Sequence, residues 1–165
     1  MKLKRTFVMN PVTMKNVRFV LLSTVLLGCS CNPFFWAQQS PECREFYKLH
    51  PQQRHTKFRT FSLDKQIDIY LCGMKREPPD TGLADVIAER GEKIIPDLVE
   101  RLKAEKEGYA QDNIIHIFEL MSEKGYLHGR RDVIALIREV IAGMKNKLRK
   151  EVSQERLEKI EKHSL

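Results

Sequence analysis

The chemically reactive side chains of this 165-residue chain are four cysteines and five histidines. Metal sites and nucleophile–base pairs need such groups at fixed spacing, for example two histidines one helical turn apart. No histidine pair has that spacing; His116 is predicted to lie opposite the apolar face of its helix, and His128 falls in a predicted loop. The sequence also lacks a nucleophile-elbow motif and a phosphate-binding glycine loop. We therefore predict no catalytic residue, no metal ligand and no cofactor.

Asp64 and Asp68 are the nearest approach to a pair of catalytic carboxylates, because they lie one helical turn apart. Charged residues make up 31% of the chain, so such pairs arise readily on solvated helix faces. We interpret the spacing as a surface feature and not as an active site.

Cys29 is distinguished by the residues that precede it. Residues 19–27 form an uncharged, mostly apolar run, which is shorter than the about 20 residues that a membrane-spanning helix needs. Five lysines and arginines and no acidic residue precede Cys29. A basic segment followed by a short apolar run is typical of a signal peptide.

The run ends in Leu26-Leu27-Gly28-Cys29, which resembles a lipobox, the processing site of bacterial lipoproteins. The resemblance implies cleavage between Gly28 and Cys29, a diacylglycerol on the thiol of Cys29, and an acyl chain such as palmitate on the new amino group. It implies a protein of the bacterial cell envelope, anchored to a membrane through Cys29. Because Ser30 and not aspartate follows the cysteine, the resemblance favours the outer membrane, with the protein facing the periplasm. Translation starts at Met1 or at Met14; the sequence fits both.

Removal of residues 1–28 changes the charge balance of the protein. The whole chain has a formal charge of +7, which by itself suggests an anionic partner. The removed segment holds five of the 29 basic residues and none of the 22 acidic ones, which leaves 24 basic against 22 acidic side chains. A nucleic-acid surface needs clustered lysine and arginine. We therefore predict no nucleic-acid partner.

Three further cysteines, Cys31, Cys43 and Cys72, remain in the mature chain. The periplasm is oxidising and permits disulfides. Three arrangements are open: a Cys43–Cys72 bond, a Cys31–Cys43 bond, and free thiols that pack as small apolar side chains. We favour the first, which ties an N-terminal segment to the first long helix.

The chain divides into a signal peptide at residues 1–28, a lipidated tether at 29–41 and a helical domain at 42–165. The tether contains Phe34-Phe35-Trp36. These aromatic side chains either rest at the membrane interface, where tryptophan is favoured, or dock on the folded domain.

Apolar residues recur at helical spacing through most of the domain, and this predicts an all-α fold. Residues 50–60 are polar and basic and are not assigned to an element. Gly73, followed by Pro78-Pro79, is predicted to end the helix that starts after Ser62. The last helix is expected to pack loosely, because its apolar residues do not form one stripe; they are Leu148, Val152, Leu157 and Ile160.

Residues 91–102 resemble the first helix of a HEAT-type repeat. They contain a glycine, an Ile95-Pro96-Asp97-Leu98 turn, and a leucine four residues later. The resemblance implies a short array of paired antiparallel helices, with units at 62–91, 92–125 and 129–162. A compact helical bundle is the alternative, since the second helix lacks the arginine usual in its opening turn.

Two classes of function fit these observations. The first is a lipid-anchored interaction module that holds another envelope protein or a peptide, because helical arrays offer concave binding surfaces. The second is a small periplasmic enzyme or a cell-wall-binding accessory protein. A deep pocket that gathers His50, His55 and acidic residues would favour the second, and a shallow groove with exposed apolar residues would favour the first.

The lipid anchor is tested by Cys29→Ala. We expect the variant to lose the mass of the lipid, to keep its signal peptide, and to leave the lipoprotein processing pathway, because the thiol that carries the lipid is gone. Mass spectrometry of the protein from fractionated cells measures this. An unchanged mass together with unchanged membrane retention would contradict the prediction.

Overall fold

The computed structural model describes residues 39–164. Eight α-helices follow one another there: α1 Pro41–Lys48, α2 Pro51–Arg59, α3 Leu63–Met74, α4 Gly82–Ala88, α5 Ile95–Ala104, α6 Gly108–Glu123, α7 Arg131–Gly143 and α8 Lys147–Ser164. A 3-10 turn, Glu92–Ile94, leads into α5. This part of the chain contains no strand, and the predicted all-α fold is confirmed for it. The predicted signal peptide, the lipobox and most of the tether lie outside the described residues.

Three helices begin with a proline in their first turn: Pro41 of α1, Pro51 of α2 and Pro96 of α5. Proline suits this position because its φ is already helical and the first N–H groups of a helix have no partner within it. The Oγ of Ser40 caps α1 by accepting a hydrogen bond from the backbone N–H of Cys43, at 3.2 Å. In the same way, Pro51 marks the start of α2, although this helix lacks the apolar stripe by which a helix is recognised in a sequence.

The end of α6 is set by Gly125, whose φ is +79°. Its N–H donates to the carbonyl of Ser122 at 2.9 Å, and the next N–H, of Tyr126, donates to the carbonyl of Met121 at 3.0 Å. This pair of bonds is a Schellman motif, which needs a left-handed residue that glycine adopts without strain. The motif thus ends α6 at a defined residue.

The sequence predicted that Gly73 ends α3. In the structure Gly73 lies within the last turn of this helix. A Cβ atom at Gly73 would collide with the hydroxyl group of Tyr47. That hydroxyl donates a hydrogen bond to the carbonyl of Ile69 at 3.3 Å. Glycine is needed here because the ring of Tyr47, from α1, lies directly against the backbone of α3.

Cys43 of α1 and Cys72 of α3 form a disulfide, with their Cα atoms 6.5 Å apart. The bond therefore joins the same two helices that meet at Gly73. It links residues 29 positions apart in sequence, and a closed loop of this length stabilises a fold by about 3–4 kcal/mol in the chain-entropy treatment.

α6 is the central helix and packs against α3, α4, α5 and α8. The other packed pairs are neighbours or next neighbours along the chain: α1 with α3, α2 with α4, α3 with α4, α5 with α7 and α7 with α8. Because α6 is covered on several sides, its burial extends beyond its apolar face to Asp112, Asn113, Glu119 and Ser122.

α8 packs by a stripe that its apolar residues alone do not reveal. Its buried side chains follow the spacing of one helix face: Ser153, Leu157, Ile160 and Ser164. Leu148, which the sequence placed among the packing residues, is 66% exposed. The expected loose packing does not occur, because two small serines complete the buried stripe.

Within α8, Leu157 is buried and Leu148 is exposed, and this difference gives a stability prediction. We expect Leu157→Ala to lower the free energy of unfolding by about 2–5 kcal/mol, because it leaves a cavity beneath the helix. Leu148→Ala is the matched control and should change that free energy by less than about 0.5 kcal/mol. Denaturant unfolding of the disulfide-bonded protein measures both values. Equal losses for the two variants would contradict this packing of α8.

Candidate functional site

The longest acid-free stretch of residues 39–164 runs from Phe46 to Leu63. It carries four lysines or arginines and two histidines, and α2 lies in its middle. Phe58 is the buried residue of this nine-residue helix, and Arg54 is half-buried while the other side chains are exposed. α2 therefore presents a polar, cationic surface to solvent and contributes one fully buried side chain, Phe58, to the core.

Arg54 holds the start of α2 against the end of α1. Its Nε donates to the carbonyl of Leu49 and its Nη2 to the carbonyl of Tyr47, both at 2.9 Å. The last carbonyls of a helix lack partners within it and carry partial negative charge, so an arginine there is favourable. The guanidinium group thus fixes the angle between the first two helices.

Gln66 and Arg90 hold the end of α2. The Nε2 of Gln66, which is 1% exposed, donates to the carbonyl of Phe58 at 2.7 Å. Arg90 donates to the Oε1 of Gln66 and to the carbonyl of Phe61, both at 2.8 Å. These bonds are accepted by one carbonyl in the last turn of α2 and one just after it, and they attach α2 to α3 and to the residues after α4.

A surface cleft of about 320 Å³ lies beside α2. We call it the cationic cleft; its lining residues are Pro51, Arg54, His55, Arg76, Pro78, Pro79 and Asp80. The last four come from the connection between α3 and α4. The cleft therefore depends on how α2 is held against that connection, and no sequence motif marks it.

Two guanidinium groups of the cationic cleft share one aromatic ring. Arg76 lies 4.2 Å from the ring centre of Tyr47, and Arg54 lies 5.2 Å from it. Burial, followed by the positive charge of Arg54, lowers the pKa of Arg76. Burial and then the negative charge of Asp80 raise the pKa of the Tyr47 hydroxyl. The cleft thus brings two positive charges close to one uncharged aromatic ring, that of Tyr47.

The two histidines of this stretch do not meet in one pocket. His55 is exposed and lines the cationic cleft, whereas His50 precedes α2 as its N-cap residue and makes no side-chain capping bond. Within residues 39–164, the cleft beside α2 is thus lined by His55 and Asp80 but not by His50.

A second cluster of charges is buried between α6 and α8. Asp112 is 1% exposed and receives hydrogen bonds from Ser153 at 3.0 Å, Arg149 at 3.2 Å and Arg156 at 3.3 Å. Arg156 also donates to Glu119. A buried carboxylate is tolerated when its oxygens are paired in this way, so the cluster is complete as it stands.

Glu119 is 4% exposed and accepts a hydrogen bond from Lys159 at 2.7 Å as well as the one from Arg156. Burial acts to raise the pKa of this carboxyl, but the two hydrogen bonds and the two positive charges outweigh it and lower the pKa. Glu119 is therefore ionised at neutral pH and serves to bind α8.

His116 lies between these two acids on α6 and is half-buried. Its Nδ1 is 3.0 Å from the hydroxyl oxygen of Tyr70 in α3. Burial, followed by the positive charge of Arg156, lowers the pKa of His116. His116 is therefore partly exposed and lies close to Tyr70 of α3 and Arg156 of α8.

The sequence contains a signal for this cluster. Asp112, His116 and Glu119 follow one another at intervals of four and three residues, and so do three residues of α8: Arg149, Ser153 and Arg156. Two helices with complementary polar stripes of equal spacing can pair along them. The signal is weak because charged residues at this spacing are also usual on solvated faces.

Asp64 and Asp68 do not work as a pair. Asp68 is bonded to Arg101 at 2.7 Å, and Asp64 lines a separate shallow depression beside α5.

Within residues 39–164, no group of three or more histidine, cysteine or acidic side chains is arranged to hold a metal ion. His128 is exposed in the turn before α7.

Cys29 and Gly28, the predicted lipidation and cleavage residues, precede the described part of the chain. No helix of that described part is long and apolar enough to cross a membrane. Comparison with known proteins gives no significant match to a family, to a characterised sequence or to a solved structure.

The lowered pKa of His116 gives a pH prediction. The unfolded chain has a histidine with the ordinary pKa of about 6.5, and below this pH it binds more protons than the folded chain. Stability is therefore full above about pH 6.5 and is lost as the pH falls from there through the lower folded value. We expect the free energy of unfolding to decrease between pH 7 and pH 5.5.

His116→Gln should flatten this decrease, whereas the control His128→Gln, which replaces an exposed loop histidine, should leave it unchanged. Urea unfolding at several pH values measures the slope independently of any constant loss from the substitution. An identical slope in wild type and His116→Gln would show that another group is responsible.

Proposed function

We propose that this chain is a lipid-anchored protein of the bacterial envelope whose helical domain is a protein–protein interaction module. The anchor rests on the signal-like segment and on Leu26-Leu27-Gly28-Cys29. The Cys43–Cys72 disulfide supports the location, because such bonds persist in oxidising compartments such as the periplasm. The outer membrane, facing the periplasm, is the membrane that Ser30 favours.

Within this proposal, the helices form a short array of HEAT-like pairs. In such arrays each helix contacts mainly its nearest and next-nearest neighbours along the chain. The pairs α2–α4, α4–α6 and α6–α8, together with α5–α7, follow this rule. The contact between α3 and α6 is the exception.

The main support for the proposed binding function is that α2 exposes most of its side chains to solvent. The helix keeps its position through Arg54, Gln66 and Arg90 while nearly all of its own side chains face solvent. A surface that is already ordered loses less conformational entropy when it binds. Because α2 and its flanks contain no acidic residue, the complementary partner is an envelope protein with an acidic segment.

The proposal is tested by site-specific photocrosslinking of the full lipidated chain in intact cells. A photoreactive residue is placed at Gln52 or Thr56, both exposed on α2, or at Gln154, exposed on α8, as the control position. We expect one protein of constant mass to be crosslinked from α2 and not from Gln154.

Charge reversal provides the second control. Lys57→Glu on α2 should reduce the yield of the crosslinked species at least severalfold, because it repels an acidic partner. Lys103→Glu, an equally exposed reversal on α5, should not. Crosslinking that is equal from α2 and α8, or equal losses from the two reversals, would overturn the proposal.

A further inference from the structure

We propose that the cationic cleft binds a carboxylate group of a polypeptide, either a chain terminus or a glutamate or aspartate side chain. This inference rests on the proposed interaction function and names the chemistry that the partner presents. The cleft brings two arginines and a histidine from two separate segments to one concave surface beside α2.

The two guanidinium groups are already oriented. Arg54 is fixed by its bonds to Leu49 and Tyr47, which use two of its five N–H donors. Arg76 is stacked on the ring of Tyr47, with its guanidinium carbon 4.2 Å from the ring centre. A bound anion therefore meets side chains that have already lost most of their rotamer freedom.

An anion in the cleft also relieves a repulsion. Both guanidinium carbons lie within 5.2 Å of the same ring centre, and burial, followed by the positive charge of Arg54, lowers the pKa of Arg76. Two positive charges that line one cleft make it more favourable for a negative group, because each attracts the anion and these attractions offset the repulsion between the cations.

The lining favours a carboxylate over a phosphate. Phosphate sites usually collect several backbone N–H groups at a helix start or glycine-rich turn. Three residues of this cleft, Pro51, Pro78 and Pro79, have no N–H to give. Asp80 also lines it, so that the two arginines and this acid leave a formal charge of 2 − 1 = +1, which a single carboxylate neutralises.

The same prolines explain why the carboxylate belongs to a peptide. Their rings provide apolar surface beside the cations, which suits a carboxylate carried on aliphatic carbons. The planar fork of arginine matches the two oxygens of a carboxylate. The site is thus suited to a short, extended stretch of chain that ends in or carries an acid.

The test uses the full chain purified in detergent micelles. The probes are N-acetyl-dialanine, with a free terminal carboxylate, N-acetyl-glutamate amide, with a side-chain carboxylate, and the uncharged N-acetyl-dialanine amide. Binding is followed by NMR shifts of the arginine Nε–H signals. We expect saturable binding of one or both acids, at least tenfold tighter than the amide, and the tighter acid identifies the source of the carboxylate.

Arg76→Gln should weaken the binding of the acid by about tenfold, because it removes a charge-assisted hydrogen bond. Arg131→Gln, which removes an equal charge from an exposed position on α7, should leave it unchanged. Inorganic phosphate should compete more weakly than the acids. Equal binding of acid and amide, tighter binding of phosphate, or equal effects of the two variants would overturn the inference.

Asp80→Asn gives a test that does not depend on Arg76→Gln folding. It removes the opposing charge from the cleft, so that the acids should bind at least twofold tighter; unchanged or weaker binding counts against the inference. If no carboxylate binds but the Lys57-dependent crosslinks persist, the cleft assignment is wrong and the interaction module stands. If those crosslinks are also absent, the proposed function itself is wrong.

Discussion

Asp112 and Glu119 are carboxylates with almost no exposed surface, and a buried charge without a partner destabilises a protein by several kcal/mol. Their partners Arg149, Ser153 and Arg156 come from α8, and these are spaced as the acids are. A displacement of α8 along the central helix would change which of these partners reach the acids. The position of α8 on the central helix is therefore set by charge pairing, and Leu157 and Ile160 of the same helix are buried in that position.

The first helices follow a similar rule, with backbone carbonyls as the buried acceptors. Backbone carbonyls at the ends of α1 and α2 need donors, and Arg54, Gln66 and Arg90 supply them. The disulfide and the contact of Tyr47 with Gly73 join α1 to α3. As a result, α2 is held in place without an apolar face of its own, and its side chains remain available to a partner.

This arrangement connects the fold to the proposed binding function. Arg54 fixes the start of α2 and also lines the cationic cleft, so the same side chain orients the helix and contributes charge to the site. Tyr47 likewise packs on α3 and supports both guanidinium groups. The cleft therefore shares Arg54 and Tyr47 with the junction of the first three helices.

The sequence by itself determined the helical class and most helix positions, because apolar side chains recur with the helical period and glycine and proline end or start helices locally. It also carries the lipobox-like segment, which is a linear signal. It did not determine the close contact of Gly73 with Tyr47, or which residues of α8 are buried, as Ser153 is, and which are exposed, as Leu148 is. Nor did it determine the assembly of Arg54, His55 and Arg76 into one cleft. Those features depend on which helix lies against which, and small or charged residues become buried only when a particular neighbour supplies the matching space or charge.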